Sequence, residues 1–390
     1  MNLGAARRVL AMLAAGWAAC LLGAGPAAAA TWTVAPGQSL AEALRRATDG
    51  DVIELLAGVH QAQVGVILQR RLTVRGVGGR TVLRAAGRSA EDKAILVVRN
   101  GEVRIENLEF RGARVPDGNG AGIRFERGRL WVQACAFIDN QNGILTGNAA
   151  DAELTVQDSE FADAPEGTRL PHLLYVGRIA RFTLVGSHLH GGRQGHLVKS
   201  RARESQILYN RLDDRPDGQA SYELEFPNGG QAWVVGNQIV QTGKTSNATL
   251  LAFGAEGSAT EAGRSHGLFL AHNTMVNAGI TPALFVRVHE QLLGAPVVQR
   301  SVNNLFVGLG VADLAEGGVV HGNFSVPQAM LQETASGELR LPPGSWLHGR
   351  AVAVDEALGV SLQPAAEFAG PRGIKRLAPR ATWSPGAFQD

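Results

Sequence analysis

The chain has 390 residues, of which 45% are hydrophobic and 18% are charged, so a large core is possible and a disordered chain is excluded. Its 49 glycines favour many turns over long helices. The formal net charge of +2 gives no indication of general nucleic-acid binding.

Residues 1–30 are typical of a signal peptide. Arg7 and Arg8 form a basic start, residues 9–22 form an apolar run, and small residues at 28–30 offer a cleavage site before Thr31. Cleavage there leaves 35 of the 37 basic residues against 35 acidic ones. We therefore expect a secreted or periplasmic protein whose mature part is neutral overall.

An alternative for the same segment is lipid attachment at Cys20, although Trp17 stands where such sites usually have leucine. After cleavage Cys135 is the only cysteine, so no intramolecular disulfide is expected. No later segment of the sequence has the length and apolar character of a membrane span.

The first predicted elements after the cleavage site are a strand from Trp32 to Val34, a turn and a short helix from Ser39 to Ala47. Ser39 can cap this helix, with Glu42 three residues later completing a capping box. One face of the helix is apolar. We expect it to cover the open end of a stack of strands.

Short strands with a repeated polar-then-apolar start follow, about 23 to 36 residues apart. This spacing is typical of one solenoid coil with occasional insertions. Asparagine at an inward turn can bond to the next coil, so a ladder is expected at one corner. The repeat starts are at Asn107, Cys135, Ser159, Ser187, Asn210, Asn237, Asn273 and Asn304.

The predicted organisation is therefore a solenoid over residues 31–330, including the capping helix. Residues 331–390 lose the repeat and are rich in proline and glycine. They are too irregular for a core of their own, so we expect a tail that packs on the solenoid.

The opening TVAPGQSLAEALRRATDGDVIELLAG, the asparagine-anchored coils and the closing SPGAF resemble secreted bacterial proteins of the pectin-lyase-like superfamily. This resemblance implies an all-β fold, a right-handed parallel β-helix. It also implies a polysaccharide as the partner. The superfamily includes lyases, hydrolases, epimerases, esterases and adhesins, so the fold leaves the reaction open.

The most polar stretch of the chain runs from residue 196 to residue 230. Strand alternation predicts that Lys199 and Arg201 point outward, because two long cations do not suit a dry interior. Tyr175 is outward one coil earlier. The same alternation predicts Tyr222, Leu224 and Phe226 inside, which places Glu223 and Glu225 outside. His172 and His196 fall on the inward parity at the strand edge.

The stretch VKSRARESQILYNRLDDRPDG resembles the lysine coil of β-helical lyases that cleave chondroitin-type and alginate polymers. On that resemblance Lys199 is the proton-abstracting base. A lyase must also neutralise the uronate carboxylate and protonate the leaving oxygen, for which Arg201 or Arg203 and Tyr175 are candidates. We expect the substrate groove to be lined by Arg203, Glu223, Glu225, His196 and His172.

No cofactor is expected, and residues 192–198 lack the acids that hold calcium in the resembling lyases. A calcium site built from Asp213, Asp214 and Asp217 stays an alternative. Three readings of the chain are open. It is a lyase of uronate-containing glycans, a non-catalytic glycan-binding or assembly protein, or a glycoside hydrolase that uses Glu223 and Glu225. In the second reading Lys199, Arg201 and the two glutamates form a surface salt-bridge network.

Overall fold

The computed structural model describes residues 29–167, 171–257 and 263–389. The predicted signal sequence and the alternative at Cys20 lie outside these residues, apart from Ala29 and Ala30. Nearly all the regular structure is parallel strand, in one ten-stranded and one 21-stranded sheet. The predicted right-handed parallel β-helix with a capping helix is confirmed.

The ten-stranded sheet takes one strand from each coil. Neighbouring strands are parallel, and their register is regular up to the last pair, where it shifts between Leu284 and Val286. Its strands are Gly65–Ile67, Ala94–Val98, Ala121–Phe125, Asn142–Thr146, Leu174–Val176, Val198–Ser200, Leu224–Phe226, Thr249–Phe253, Ala283–Val288 and Gly310–Asp313.

The 21-stranded sheet takes two strands from most coils and forms the other two walls. Its first wall contains Thr31–Val34, Val52–Gln61, Arg71–Arg84, Glu102–Glu106, Arg129–Gln133, Glu153–Gln157, Arg181–Val185, Glu204–Leu208, Gln231–Val235, His266–Ala271, Val297–Val302 and Val319–His321. The long strands Val52–Gln61 and Arg71–Arg84 continue into the second wall, where the end of the latter pairs with Glu109–Arg111. The second wall contains Glu109–Arg111, Ala136–Ile138, Glu160–Ala162, His188–His190, Arg211–Asp213, Gln238–Gln241, Thr274–Asn277, Leu305–Val307 and Phe324–Val326.

The interior is filled by apolar side chains that stack from coil to coil. Phe110, Phe137 and Phe161 are register partners, and their rings stack with centroids 5.0 and 4.6 Å apart. All three are fully buried. The same packing recurs in each coil because parallel in-register strands place equivalent side chains about 4.8 Å apart.

The helix Leu40–Arg46 lies at the N-terminal end of this core. The Ser39 hydroxyl accepts a hydrogen bond from the backbone of Glu42, so the predicted N-cap is present. Leu40 and Leu44 belong to the main hydrophobic core. A Cβ at Gly65 would lie 2.2 Å from a Leu44 methyl group, which shows how closely the helix covers the first strand of the ten-stranded sheet.

The predicted asparagine column is confirmed. Asn210, Asn237, Asn273 and Asn304 are fully buried. The side-chain oxygen of each of the last three accepts from the backbone and side-chain N–H groups of the asparagine before it, at 2.9–3.0 Å. The column continues to Asn323, which the repeat pattern had not predicted.

The column also extends toward the N-terminus through Ser187, Ser159 and Cys135. The prediction for the coil before Cys135 was wrong by one residue. Ala136 pairs with Glu109, which sets Leu108 rather than Asn107 opposite Cys135. Asn107 instead donates to the carbonyl of Gly76.

The tail runs back along the outside of the 21-stranded sheet. The Ala357 carbonyl accepts from the Trp233 indole, Arg372 donates to the carbonyl of Cys135, and Ala387 donates to the Thr274 hydroxyl. Three short antiparallel pairs are its only strands within the described residues. They are Gln332–Glu333 with Leu339–Arg340, Glu356–Ala357 with Val360–Ser361, and Ala366–Phe368 with Ile374–Arg376.

Within the described ranges, two other short helices occur outside the cap. They are the α-helix Glu290–Leu293 and the 3₁₀ helix Gln328–Met330.

Loss of one ladder amide should destabilise the whole protein. In Asn237→Ala the Asn210 N–H groups and the Ile207 carbonyl lose their buried partner. We expect the free energy of unfolding to fall by about 3 kcal/mol. Urea denaturation followed by circular dichroism measures it, with the exposed Asn100→Ala as control. Equal stability of the two variants would contradict a stabilising ladder.

Candidate active site

The candidate site lies on the outer face of the ten-stranded sheet. Tyr175, Lys199 and Glu225 are register partners on consecutive strands. The residues on either side of each point into the core, as the alternation predicted. Parallel stacking therefore gathers three polar side chains that are 24 to 50 positions apart in the sequence.

The alternation fails one residue before each strand. Leu173 and Leu197 belong to the core, whereas strict alternation put Leu197 on the same side as Lys199. Glu223 is one residue before Leu224 and is aligned with Leu197 through the bond from Val198 N–H to its carbonyl. The chain turns a corner at this point, so a period of two does not extend through it.

The same corner reverses the predicted positions of the preceding residues. His196 was assigned inward, yet its Nδ1 lies 3.0 Å from Glu225 Oε2 on the outer side. The ring of Tyr222, also assigned inward, packs edge-on against His196 with centroids 4.9 Å apart. His172 packs against both His196 and Tyr175. These rings form one end of the site.

Lys199 and Arg201 hold a second acid that the sequence analysis did not identify. Lys199 Nζ lies 3.0 Å from Glu225 Oε2 and 2.9 Å from Glu256 Oε1. Arg201 Nη2 lies 2.7 Å from Glu256 Oε2. Glu256 comes from the coil between Asn237 and Asn273, the longest ladder interval at 36 residues. That long insertion was the one signal in the sequence that pointed to an added functional group.

Arg201 also fixes the two neutral groups beside it. Its Nε donates to the Tyr175 hydroxyl at 2.8 Å, and its Nη1 donates to Asn228 Oδ1 at 2.6 Å. A hydroxyl that accepts from a guanidinium keeps its own proton free for another acceptor. Tyr175 can therefore donate a hydrogen bond toward a ligand.

Burial and neighbouring charges have opposite effects on the pKa values of Lys199 and Glu225. Burial by itself lowers the pKa of Lys199, but Glu225 and Glu256 outweigh it and the net shift is upward. Burial raises the pKa of Glu225, but His196 and Lys199 outweigh it and the net shift is downward. A lysine that acts as a base must be neutral near the working pH, which requires a lowered pKa, and the acids around Lys199 produce the opposite shift.

For the two histidines, burial has the largest effect on the pKa. Burial lowers the pKa of His196, and Glu225 offsets this only in part. Burial, together with the nearby cations Lys199 and Arg201, lowers the pKa of His172 well below its usual range. The backbone N–H of His196 donates to His172 Nδ1 at 3.0 Å. Both imidazoles are therefore neutral near pH 7, so the site holds uncharged groups that can accept a proton.

The prediction that Glu223 faces the groove is wrong. Its side chain is fully buried, and its Oε2 accepts from Gln241 Nε2 at 3.3 Å. Burial and the nearby Asp214 raise its pKa well above the ordinary range. Glu225 is on the outer side as predicted, although it is buried beneath Lys199 and His196 rather than solvent-facing.

Arg203 does not reach the cluster either. It is exposed, and its Nη2 donates to the carbonyl of Ala150 at 2.6 Å. It lines a separate cleft beside Arg178 and Arg264.

The aspartates considered for calcium do not converge. Asp213 is paired with Arg211 and Arg215, and Asp217 is paired with Lys244. Asp214 accepts from two backbone N–H groups, and burial raises its pKa to about 6. Across the described ranges no group of three or more metal-binding side chains is placed to hold an ion. The residues present do not fit a calcium site.

Comparison with known proteins identifies the fold and no closer relationship. No family model and no curated protein matches the chain. Among solved structures, pectate lyase Pel9A is similar over 92% of this chain and 96% of its own, with a TM-score of 0.62 and 13% identity. An alginate lyase from Paenibacillus sp. str. FPU-7 matches 76% of this chain and 99% of its own, with a TM-score of 0.48 and 14% identity.

The chain thus shares the parallel β-helix fold of pectate lyase Pel9A, which is the fold that the sequence resemblance implied. Among residues 29–167, 171–257 and 263–389, no helix has the length and apolar character needed to cross a bilayer.

Glu223→Gln should stabilise the protein increasingly as the pH rises. In the unfolded chain Glu223 ionises at a pH of about 4.3, whereas in the fold its raised pKa keeps it protonated. The wild type therefore loses stability as the pH rises from that value toward the folded pKa, and the isosteric amide does not. We expect the melting temperature of the variant to exceed that of wild type at pH 8 and to match it near pH 4.

Glu225→Gln is the matched control, because the folded pKa of Glu225 is lowered. Its carboxylate contributes stability at neutral pH that is lost in acid, so this variant should be less stable than wild type at pH 8. The same pH dependence in both variants would contradict the assignment of Glu223 to the interior.

Proposed function

We propose that the protein is an exported polysaccharide lyase that cleaves uronate-containing glycans by β-elimination. The fold shared with a pectate lyase supports the class. The observation that carries the proposal is that Lys199 and Arg201 both pair with the Glu256 carboxylate, one cation with each oxygen.

Lys199 and Arg201 therefore form a binding site for a carboxylate, with one cation for each of its oxygens. Lys199 and Arg201 have side chains that are 11% and 14% exposed, whereas that of Glu256 is 44% exposed. Glu256 is therefore the member of the cluster that a ligand can displace most readily. A uronate carboxylate in its place would keep both charge-assisted pairs and the charge balance of the site.

Neutralising that carboxylate is the main electrostatic requirement of the reaction. Elimination builds negative charge on the carboxylate as the C5 proton leaves, and two fixed cations in a largely buried site stabilise it. In this proposal Lys199 acts as an ammonium rather than as the base. This revises the role inferred from the lysine coil, because Glu225 and Glu256 favour the charged lysine.

His196 is then the proposed base. Glu225 Oε2 lies beside both His196 Nδ1 and Lys199 Nζ, so the imidazole is next to the carboxylate site. A negative carboxylate 3.0 Å from Nδ1 favours the proton on that nitrogen, which is the tautomer in which Nε2 carries the lone pair. Breaking the C5–H bond transfers a proton to Nε2. The electron pair forms the C4–C5 double bond, and the C4–O bond breaks with its oxygen protonated by Tyr175.

A non-catalytic glycan-binding or assembly protein is the second candidate. It is favoured by a chain of three ion pairs, Glu225 with Lys199, Lys199 with Glu256 and Glu256 with Arg201, as in a structural salt-bridge network. It predicts binding of acidic glycans without unsaturated products. The hydrolase hypothesis loses support, because Glu223 is buried and does not share the cleft with Glu225.

The variants of Lys199 test the site and the role of this residue together. On a uronate polymer that the wild type cleaves, we expect Lys199→Ala and His196→Gln each to lower kcat by about a hundredfold or more. Lys199→Arg should retain measurable turnover, since it preserves the charge. Unsaturated products are followed by ultraviolet absorbance, with the surface variant Lys244→Ala as control.

A Lys199→Arg variant as inactive as Lys199→Ala would instead make Lys199 the base, since guanidinium does not release a proton. Full activity of Lys199→Ala would reject this site. Binding of polyuronates by the wild type with no product from any of them would favour the non-catalytic protein.

Replacing Glu256 tests whether it occupies the substrate position. In Glu256→Gln the neutral amide competes less well for Lys199 and Arg201, so KM for the acidic polymer should fall several-fold while kcat stays within about twofold. Glu204→Gln removes an exposed acid paired with Arg181 and serves as control. A collapse of kcat in Glu256→Gln would make Glu256 part of the chemistry instead.

A further inference from the structure

His172 is a member of the candidate site that has no part in the proposed proton transfers. It lies at the corner before the strand Leu174–Val176. Its ring packs against the rings of His196 and Tyr175, with centroids 4.6 and 5.3 Å apart, and it is partly exposed. His172 therefore contacts both the proposed base and the proposed acid.

One hydrogen bond fixes which ring nitrogen of His172 carries the proton. The backbone N–H of His196 donates to His172 Nδ1 at 3.0 Å. A backbone N–H is only a donor, so Nδ1 must present its lone pair. Burial and the nearby cations lower the pKa of His172, so the ring is neutral near pH 7 and its one proton is on Nε2.

His196 has the opposite tautomer. Glu225 Oε2 lies beside its Nδ1 and favours the proton on that nitrogen, which leaves the lone pair on Nε2. Protonation of His172 would have to occur at Nδ1, and it would break the bond with the His196 backbone. Of the two neutral rings, His196 is therefore the acceptor and His172 is the donor.

The Nε2–H group of His172 has no acceptor within hydrogen-bond distance in the described part of the chain. The charged groups that lower its pKa, Lys199 and Arg201, are donors themselves and cannot accept from it. A donor without a partner at a partly buried position costs free energy, which an oxygen atom of a ligand can recover.

We propose that His172 is a substrate-binding residue whose Nε2–H donates to an oxygen substituent of the sugar beside the cleaved bond. Tyr175, which contacts the His172 ring, is the proposed donor to the leaving oxygen. A neutral donor binds a hydroxyl or carbonyl oxygen and cannot bind an ammonium group. This inference rests on the proposed function and narrows it, because it favours polyuronates over glycans in which uronate alternates with an unacetylated amino sugar.

The tautomer is tested on the full-length protein by NMR, with ¹⁵N in the histidine rings. Proton–nitrogen correlation spectra at pH 7 should show His172 protonated at Nε2 and unprotonated at Nδ1, with its signals assigned by their absence in His172→Gln. A proton on Nδ1, or on both nitrogens, would overturn the inference whether or not the protein is a lyase.

Two substitutions separate the roles of the two ring nitrogens. The oxygen of His172→Asn can replace Nδ1 as acceptor, but the donor at Nε2 is lost, whereas the longer amide of His172→Gln can place an N–H near Nε2. On polygalacturonate we expect kcat/KM to fall about tenfold or more in His172→Asn, mainly through a higher KM, and to stay within about threefold of wild type in His172→Gln. His321→Asn changes an exposed histidine in the last coil and is the control.

Full activity of His172→Asn, or a loss in His172→Gln as large as in His172→Asn, would overturn the inference, because the contact of Nδ1 with the backbone would then be what matters. The narrower substrate class is tested by calorimetry. Wild type should bind oligogalacturonate about tenfold or more tightly than an oligomer that alternates glucuronate with unacetylated glucosamine, and equal affinity would reject this restriction.

The same calorimetry separates this inference from the lyase. If the wild type forms no unsaturated product, weaker binding of oligogalacturonate by His172→Asn than by His172→Gln would still support His172 as the donor while the lyase is rejected. Product formation that is equal in wild type and His172→Asn would do the reverse. A wild type that neither binds nor cleaves the polyuronate would reject both.

Discussion

The in-register stacking of coils, held at one corner by the buried asparagine ladder, is the constraint on which the rest of the structure depends. Each ladder side chain binds backbone groups of its neighbours, so a coil cannot shift by one residue without leaving several buried groups unpaired. The same register stacks the phenylalanine rings inside. On the outside it aligns Tyr175, Lys199 and Glu225.

The candidate site combines this rigid column with two less regular contributions. The corner before each strand supplies His172 and His196, and the longest insertion supplies Glu256. Burial alone would neutralise both the lysine and the acids, yet their mutual pairing keeps Lys199 and Glu225 charged and leaves the histidines neutral. A site with fixed cations beside a neutral imidazole suits proton abstraction next to a carboxylate.

The charge around Arg201 is balanced on the side toward Lys199. The two cations there are matched by Glu225 and Glu256, so in the proposed function an incoming anion replaces Glu256. The contacts of the tail described above lie on the 21-stranded sheet, whereas this site lies on the ten-stranded sheet.

The sequence by itself determined the solenoid, the capping helix, the ladder positions from Asn210 to Asn304 and the outward position of Lys199, because each follows from a local period or a local cap. It did not determine what happens at the corners, where Glu223 goes inside and His196 goes outside. A period of two holds only while the backbone stays extended. The tertiary structure alone brought Glu256 to Lys199 and Arg201. The sign of the Lys199 pKa shift depends on which charges are nearest, and that is a property of the packed coils rather than of any one segment.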